Sequence, residues 1–158
     1  MTSPVIGFEA ICVALAARFA PGTIGTPTGS DAMRKSYANT PKNVPSTPAH
    51  LLEVQDGGIV ANPGAWNHEM NIDGLLLLAK RPADPERVED QRKRWLPYLL
   101  HATVDQWKLG IGAQAGYSLD KAIPIGWEWT EFRVGGVDFD AIRVHWRVYV
   151  TETVVLTP

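Results

Sequence analysis

The stretch from Phe139 to Val154, FDAIRVHWRVYVTETV, constrains the fold most. Ile142, Val144, Trp146, Val148 and Val150 point one way, and Arg143, His145, Arg147, Tyr149 and Thr151 point the other. That two-residue period, built largely from β-branched and aromatic residues, is the signature of a strand with one buried face. The run exceeds the usual strand length of roughly 17–20 Å. It is expected to form the spine of a sheet on which the rest packs.

The segment before it supplies the partner. Ile123 to Val134 (IPIGWEWTEFRV) reads as a strand, and Gly135-Gly136 provides the positive φ angles of a two-residue hairpin. With Val134 opposite Val137, Ile125, Trp127 and Trp129 face Trp146, Val144 and Ile142. On the other side, Phe132 meets Phe139 and Glu128 meets Arg143, while Arg133 meets Asp138. Cross-strand pairs of these kinds are worth a few tenths to ~1 kcal/mol each, and a one-residue slip sets apolar against charged throughout. Only Glu131 against Asp140 is unfavourable, near the tip, where water is expected to screen it.

Upstream, Val5 to Ala20 (VIGFEAICVALAARFA) has helical spacing with a broad apolar face. Ser3-Pro4 is expected to start this helix and Pro21-Gly22 to stop it. Residues 21–48 are rich in Gly, Pro, Ser, Thr and Asn, and read as a long loop with one helical turn at Asp31 to Tyr37; loops of this kind are often functional or partly disordered. His50 to Ile59 and Asn67 to Ala79 read as antiparallel neighbours joined through the glycines and Asn62-Pro63-Gly64. Leu75 and Leu77, opposite Leu76 and Leu78, imply that the second strand ends covered on both faces. Asp84-Pro85 opens a helix expected to run to about Lys108, with a kink at Pro97. Gly110 to Gly116 (GIGAQAG) follows a helix rather than a strand, so a flexible connection explains it better than a dinucleotide loop. The sum is one α+β domain over residues 1–158, carrying the long loop at 21–48. A mixed, mostly antiparallel sheet of about four strands, ending in the long hairpin, packs against two helices.

Chemistry is constrained mainly by what is missing. The net charge of −2 is too weak to argue for long-range attraction to nucleic acid or membrane. The single cysteine, Cys12, sits in an apolar helical stretch and reads as a small buried hydrophobe. His50, His68, His101 and His145 fall in four separate segments without metal-ligand spacing, and no serine sits in a nucleophile elbow. The glycines of the long loop precede no Gly-Lys-Ser/Thr, so no phosphate loop is expected. No run approaches the ~20 apolar residues of a membrane span, and the N-terminus lacks the basic start of a signal peptide. The expectation is a soluble, non-enzymatic protein with no cofactor, no metal and no membrane partner.

The order helix, loop, strand, strand, charged helix, long hairpin resembles the phage tail terminator family, minor tail proteins that cap the tail tube of long-tailed phages. FEAICVALAARF at 8–19 is similar to the family's opening helix, and the proline-rich segment leading to HLLEVQDGG to the loop and strand that follow. Leu75 to Leu100 matches its central strand, turn and helix, and AIRVHWRVYVTE its closing strand. The resemblance implies a single domain with helices packed on a sheet, assembled as a homo-hexameric ring on the end of the tube. Such a ring stops tube polymerisation and offers the head-closure or connector protein a surface. Genomic DNA passes through its lumen without sequence-specific binding. The implied partners are other copies of the chain, the tail tube protein and the head-closure protein, and the implied place is the tail or neck of the virion, after assembly in the host cytoplasm. Candidate interface residues are Arg143, His145, Arg147 and Tyr149, with Glu128, Arg133 and Asp138 of the hairpin and Arg34, Lys35 and Tyr37 of the loop. Another neck or tube component is the alternative within the class. A small-ligand-binding domain or enzyme, with the tryptophan-rich sheet as a pocket wall, is the alternative outside it.

Overall fold

The computed structural model describes residues 6–155. The elements are α1 (Phe8–Ala17), β1 (Lys35–Tyr37), β2 (Ala49–Asn62), β3 (Ala65–Lys80), α2 (Pro85–Leu100), β4 (Ala113–Gln114), β5 (Tyr117–Val134) and β6 (Val137–Thr153). The strands form one sheet in the order β1-β2-β3-β6-β5-β4; β1 runs parallel to β2 and every other pair is antiparallel. This corrects the expected α+β fold with about four strands. The sheet has six strands and curls into a half-barrel, and strand makes up 48% of the described residues, so the fold is predominantly β. The additional strands are the outermost and shortest. Three and two residues long, β1 and β4 exist because a neighbouring edge pairs with them, and they are too short to show a period of their own.

The centre of the sheet is the seam between β3 and β6, which stays in register from Ala65 opposite Thr153 to Leu77 opposite Ala141. One face of the seam carries the main core: Ile72, Leu76, Ile142, Val144, Trp146 and Val148 lie beneath α1, α2 and their flanking turns. The other face is covered only at one end. There Leu51, Leu75, Leu77, Phe139 and Ala141 form a second cluster with Val44 from the long loop, as the Leu75/Leu77 pattern requires. In the main core, Phe19 stacks on His50 at 3.7 Å between centroids and meets Trp146 edge-on at 5.7 Å. Gly74 makes this trio possible. A Cβ there would stand 2.9 Å from His50 Nε2 and 3.1 Å from Trp146 Nε1, so any side chain would push both rings away from the strand.

The hairpin keeps the expected register at its tip. Val134 faces Val137, Phe132 faces Phe139, Glu128 faces Arg143, and Trp127 and Trp129 face Val144 and Ile142. Gly135 and Gly136 both take positive φ, +58° and +78°. The expected Ile125–Trp146 pair does not form. A bulge between Pro124 and Gly126 puts Pro124 opposite Trp146, since proline has no N–H for the ladder and the strand absorbs an extra residue there. The opposed Glu131 and Asp140 share a cation. Arg81, leaving β3 at the same level, pairs with Glu131 and lies 3.6 Å from Asp140.

The helices are shorter than their patterns. α1 has Gly7 at its N-cap, and the Ser3-Pro4 start expected for it lies outside the described residues. In α2, Asp84 accepts a hydrogen bond from the Glu86 amide at 3.1 Å and Pro85 takes the first turn, as read from the sequence. The helix passes through Pro97 and stops at Leu100, and 101–112 continues as turns instead of reaching Lys108. Those turns are tied to the sheet: Trp107 O and Gly112 O accept hydrogen bonds from the Ala122 and Leu119 amides. The segment Gly110–Gly116 therefore closes into the β4–β5 turn rather than a free connection. Residues 21–48 are anchored by buried Ile24, Met33 and Val44, and the turn expected at Asp31–Tyr37 is replaced by β1.

Trp146→Ala is expected to cost ~3–5 kcal/mol, because it empties the centre of the aromatic core. Val60→Ala, on the exposed arm of β2, is expected to stay within about 0.5 kcal/mol of wild type. Urea denaturation of both variants checks the assignment, which fails if the two midpoints fall together.

Candidate functional site

The uncovered part of the second face is a ladder of charged side chains. Asp73 projects from β3 into the row formed by β6, and it is nearly buried. Its Oδ2 accepts a hydrogen bond from Arg143 at 2.6 Å, and its Oδ1 lies 2.7 Å from His145 Nδ1. Arg143 also reaches Glu128 of β5 at 3.2 Å and Glu53 of β2 at 3.5 Å, so one guanidinium gathers carboxylates from three neighbouring strands. Leaving His145 out of the count, these three carboxylates and one guanidinium sum to −2. Such a cluster fixes how four strands sit against one another, and loss of Arg143 would leave Asp73 buried without its cation.

Further along the same face, Arg147 donates to Asn71 Oδ1 at 3.1 Å and approaches Glu69 at 3.8 Å, while Asn71 donates to Asp56 at 2.8 Å. Lys121 lies over the Tyr149 ring at 4.7 Å. Thr151 donates to Asp120 at 2.7 Å. Every partner here comes from the next strand at the same level, which is how an antiparallel face satisfies charge.

The structure divides the candidate interface residues among three places. Arg143, His145 and Glu128 meet at Asp73, with Arg147 and Tyr149 following along β6. Arg133 and Asp138 pair with each other at 3.2 Å on the exposed hairpin tip. Arg34, Lys35 and Tyr37 stand at the opposite edge, where Lys35 lies 4.9 Å above the Tyr37 ring and the Arg34 amide bonds Pro48 O. The sequence reading left out Glu53, Asp73 and Asn71. Asp73 does leave a signal, as a carboxylate set in an otherwise apolar stretch between Ile72 and Leu75.

The helix-side face carries two uncovered apolar patches. The first is a groove of about 650 Å³ between α1 and the β2–β3 hairpin, with Phe8, Val13, Val54, Ile59 and Met70 in its walls and Cys12 at its base. Glu9, Asp56 and Glu69 stand along it. Burial raises the Cys12 thiol above its usual range, which keeps it protonated and unreactive. The second patch is on β5, where Ile125, Trp127 and Trp129 project from the strand and the two indoles lie 4.8 Å apart.

Among the described residues, no group of three or more His, Cys, Asp and Glu side chains is placed to hold a metal ion, and no helix is long and apolar enough to cross a membrane. No protein-family model matches the chain, and no curated protein matches it in a sequence search.

Among the described residues, the one strongly displaced acid–base group is structural. Burial pushes His50 down to about 3 from an ordinary 6.5, and no group among the described residues hydrogen-bonds its Nδ1. The folded chain holds the imidazole neutral, while the unfolded chain protonates it below about pH 6.5. The unfolded state then binds the extra proton, so this contribution is complete above that pH and is lost as pH falls toward the folded value. The slope is about 1.4 kcal/mol per unit well inside the window. His50→Phe should remove it, so the stability lost between pH 7 and pH 5 should shrink by ~2 kcal/mol relative to wild type. Equal losses in the two proteins would show that His50 does not set the acid limit.

Proposed function

We propose that this chain is the subunit of a ring that caps the tail tube of a long-tailed phage, ends tube polymerisation and presents the joining surface for the head. The observation that carries the reading is the pair of apolar patches left uncovered at opposite edges of one sheet. Ile59 at one edge is 58% exposed, and Trp127 and Trp129 at the other are 46% and 41% exposed. Side chains of this size, grouped in this way, support the reading of a subunit whose burial is completed by neighbours. The order of elements resembles the tail terminator pattern along most of the chain, which gives that subunit its proposed place in the neck of the virion.

The polar face supports the same reading. A lumen that passes DNA must not retain phosphates, and the Asp73 cluster offers more carboxylate than cation. The cap works by binding energy alone. Contacts repeated around a closed ring raise the effective concentration of each one, so a weak contact per subunit suffices to hold the tube end.

Deletion of the gene from its phage should give tails of uncontrolled length that fail to join heads, and added protein should restore joining to tails that have not overgrown. Normal-length tails already joined to heads in the deletion would exclude the capping role. Arg147→Ala, on the polar face, should lower tail joining while changing stability by less than about 1 kcal/mol; early melting of this variant would assign Arg147 to the fold instead.

A further inference from the structure

We infer that the two apolar patches are the two halves of one contact: Trp127 and Trp129 of one copy seat in the groove between α1 and the β2–β3 hairpin of the next. The inference deepens the ring reading and rests on it for the closure of the ring.

Two observations select a second copy as the occupant. The first is placement. Trp127 and Trp129 pair across the strand with Val144 and Ile142, which belong to the main core, so the indoles lie on the helix-side face. The groove opens on that same face, since Met70 in its wall belongs to the same core. The patches sit on β5 and β2, toward opposite edges of the sheet. A knob at one edge and a hole at the other form a heterologous contact, the type that leaves a free half on every copy and closes into rings.

The second is size and chemistry. The groove of about 650 Å³ lies within the range of specific pockets and is walled by flexible and branched apolar side chains, a suitable bed for two large planar rings.

A head-to-tail contact has a signature that no other geometry shares. Ile59→Arg blocks the groove and leaves the knob intact; the double substitution Trp127→Ser, Trp129→Ser removes the knob and leaves the groove intact. All these side chains are exposed, and Val13→Arg, on the helix wall, serves as a second groove variant. In sedimentation velocity, wild type should associate in a concentration-dependent manner. Each variant alone should be a monomer, its association weakened on the order of 30-fold or more, as loss of a central aromatic anchor does. An equimolar mixture of a groove variant and the knob variant should give a 1:1 dimer and nothing larger, because only one good interface remains. Monomeric wild type at the highest concentration, unchanged association in the variants, or no dimer in the mixture would each overturn the contact. Rings that persist in both variants would overturn the contact and leave the capping role intact. A 1:1 dimer from a protein whose deletion spares tail length would keep the contact and remove the capping role.

Discussion

The structure depends on the burial of one face of β6. That strand lies between β3 and β5 and carries Ile142, Val144, Trp146, Val148 and Val150 into the core, so both of its neighbours are positioned by the same row of side chains. Trp146 is fully buried at the centre of the row, against Phe19 from the end of the first helix. The bare backbone of Gly74 lets His50 and Trp146 meet across β3, which ties the strand order β2-β3-β6 to a single packing solution. A buried imidazole is the cost of this arrangement. It stacks well while neutral, and acid pulls it toward the unfolded chain.

The same seam explains why the second face divides in two. Where Val44 and the second cluster cover it, the side chains of β3 and β6 are leucine, phenylalanine and alanine. Where nothing covers it, they become Asp73, Arg143, His145 and Arg147. The change falls between Leu75 and Asp73 on β3 and between Ala141 and Arg143 on β6; Leu75 lies opposite Arg143, so the two steps are offset by one residue pair. Within that offset, both strands mark one boundary on the sheet, with a dry side and a wet side.

What was legible in the sequence follows from how far apart the interacting residues lie. The hairpin tip was legible down to single pairs, because Gly135-Gly136 fixes the turn and both strands alternate outward from it. The bulge beside Pro124 was not, because alternation counts residues and a bulge changes the count. The strands β1 and β4 escaped for a different reason: three or two residues cannot express a period, and pairing with a sheet edge makes them strands. Of the charged cluster, the residues on β6 were legible from their own alternation. Glu53 and Asp73 required the knowledge that β2, β3 and β6 are consecutive in space, and the order of strands is a tertiary fact.

The two sides of the sheet are protected unequally, and the difference bears on how copies would meet in the proposed contact. On β5 the backbone is guarded. Pro124 has no N–H, the amides of Leu119 and Ala122 are bonded by the turns, and Arg92 donates to Thr130 O at 3.1 Å. Its exposed surface is instead aromatic side chain. On β2 the residues beyond Leu51 have no strand on the outer side, and the segment from Val54 to Asn62 carries one charge, Asp56. A chain with two open backbone edges would risk extending its sheet without limit. In the proposed contact, guarding one edge while displaying indoles beside it would move recognition from main-chain pairing to side-chain fit, which depends on the shape of a single groove. Recognition of that kind can hold a fixed angle between neighbours, as a closed ring requires, and it gives an elongating strand array nothing to copy.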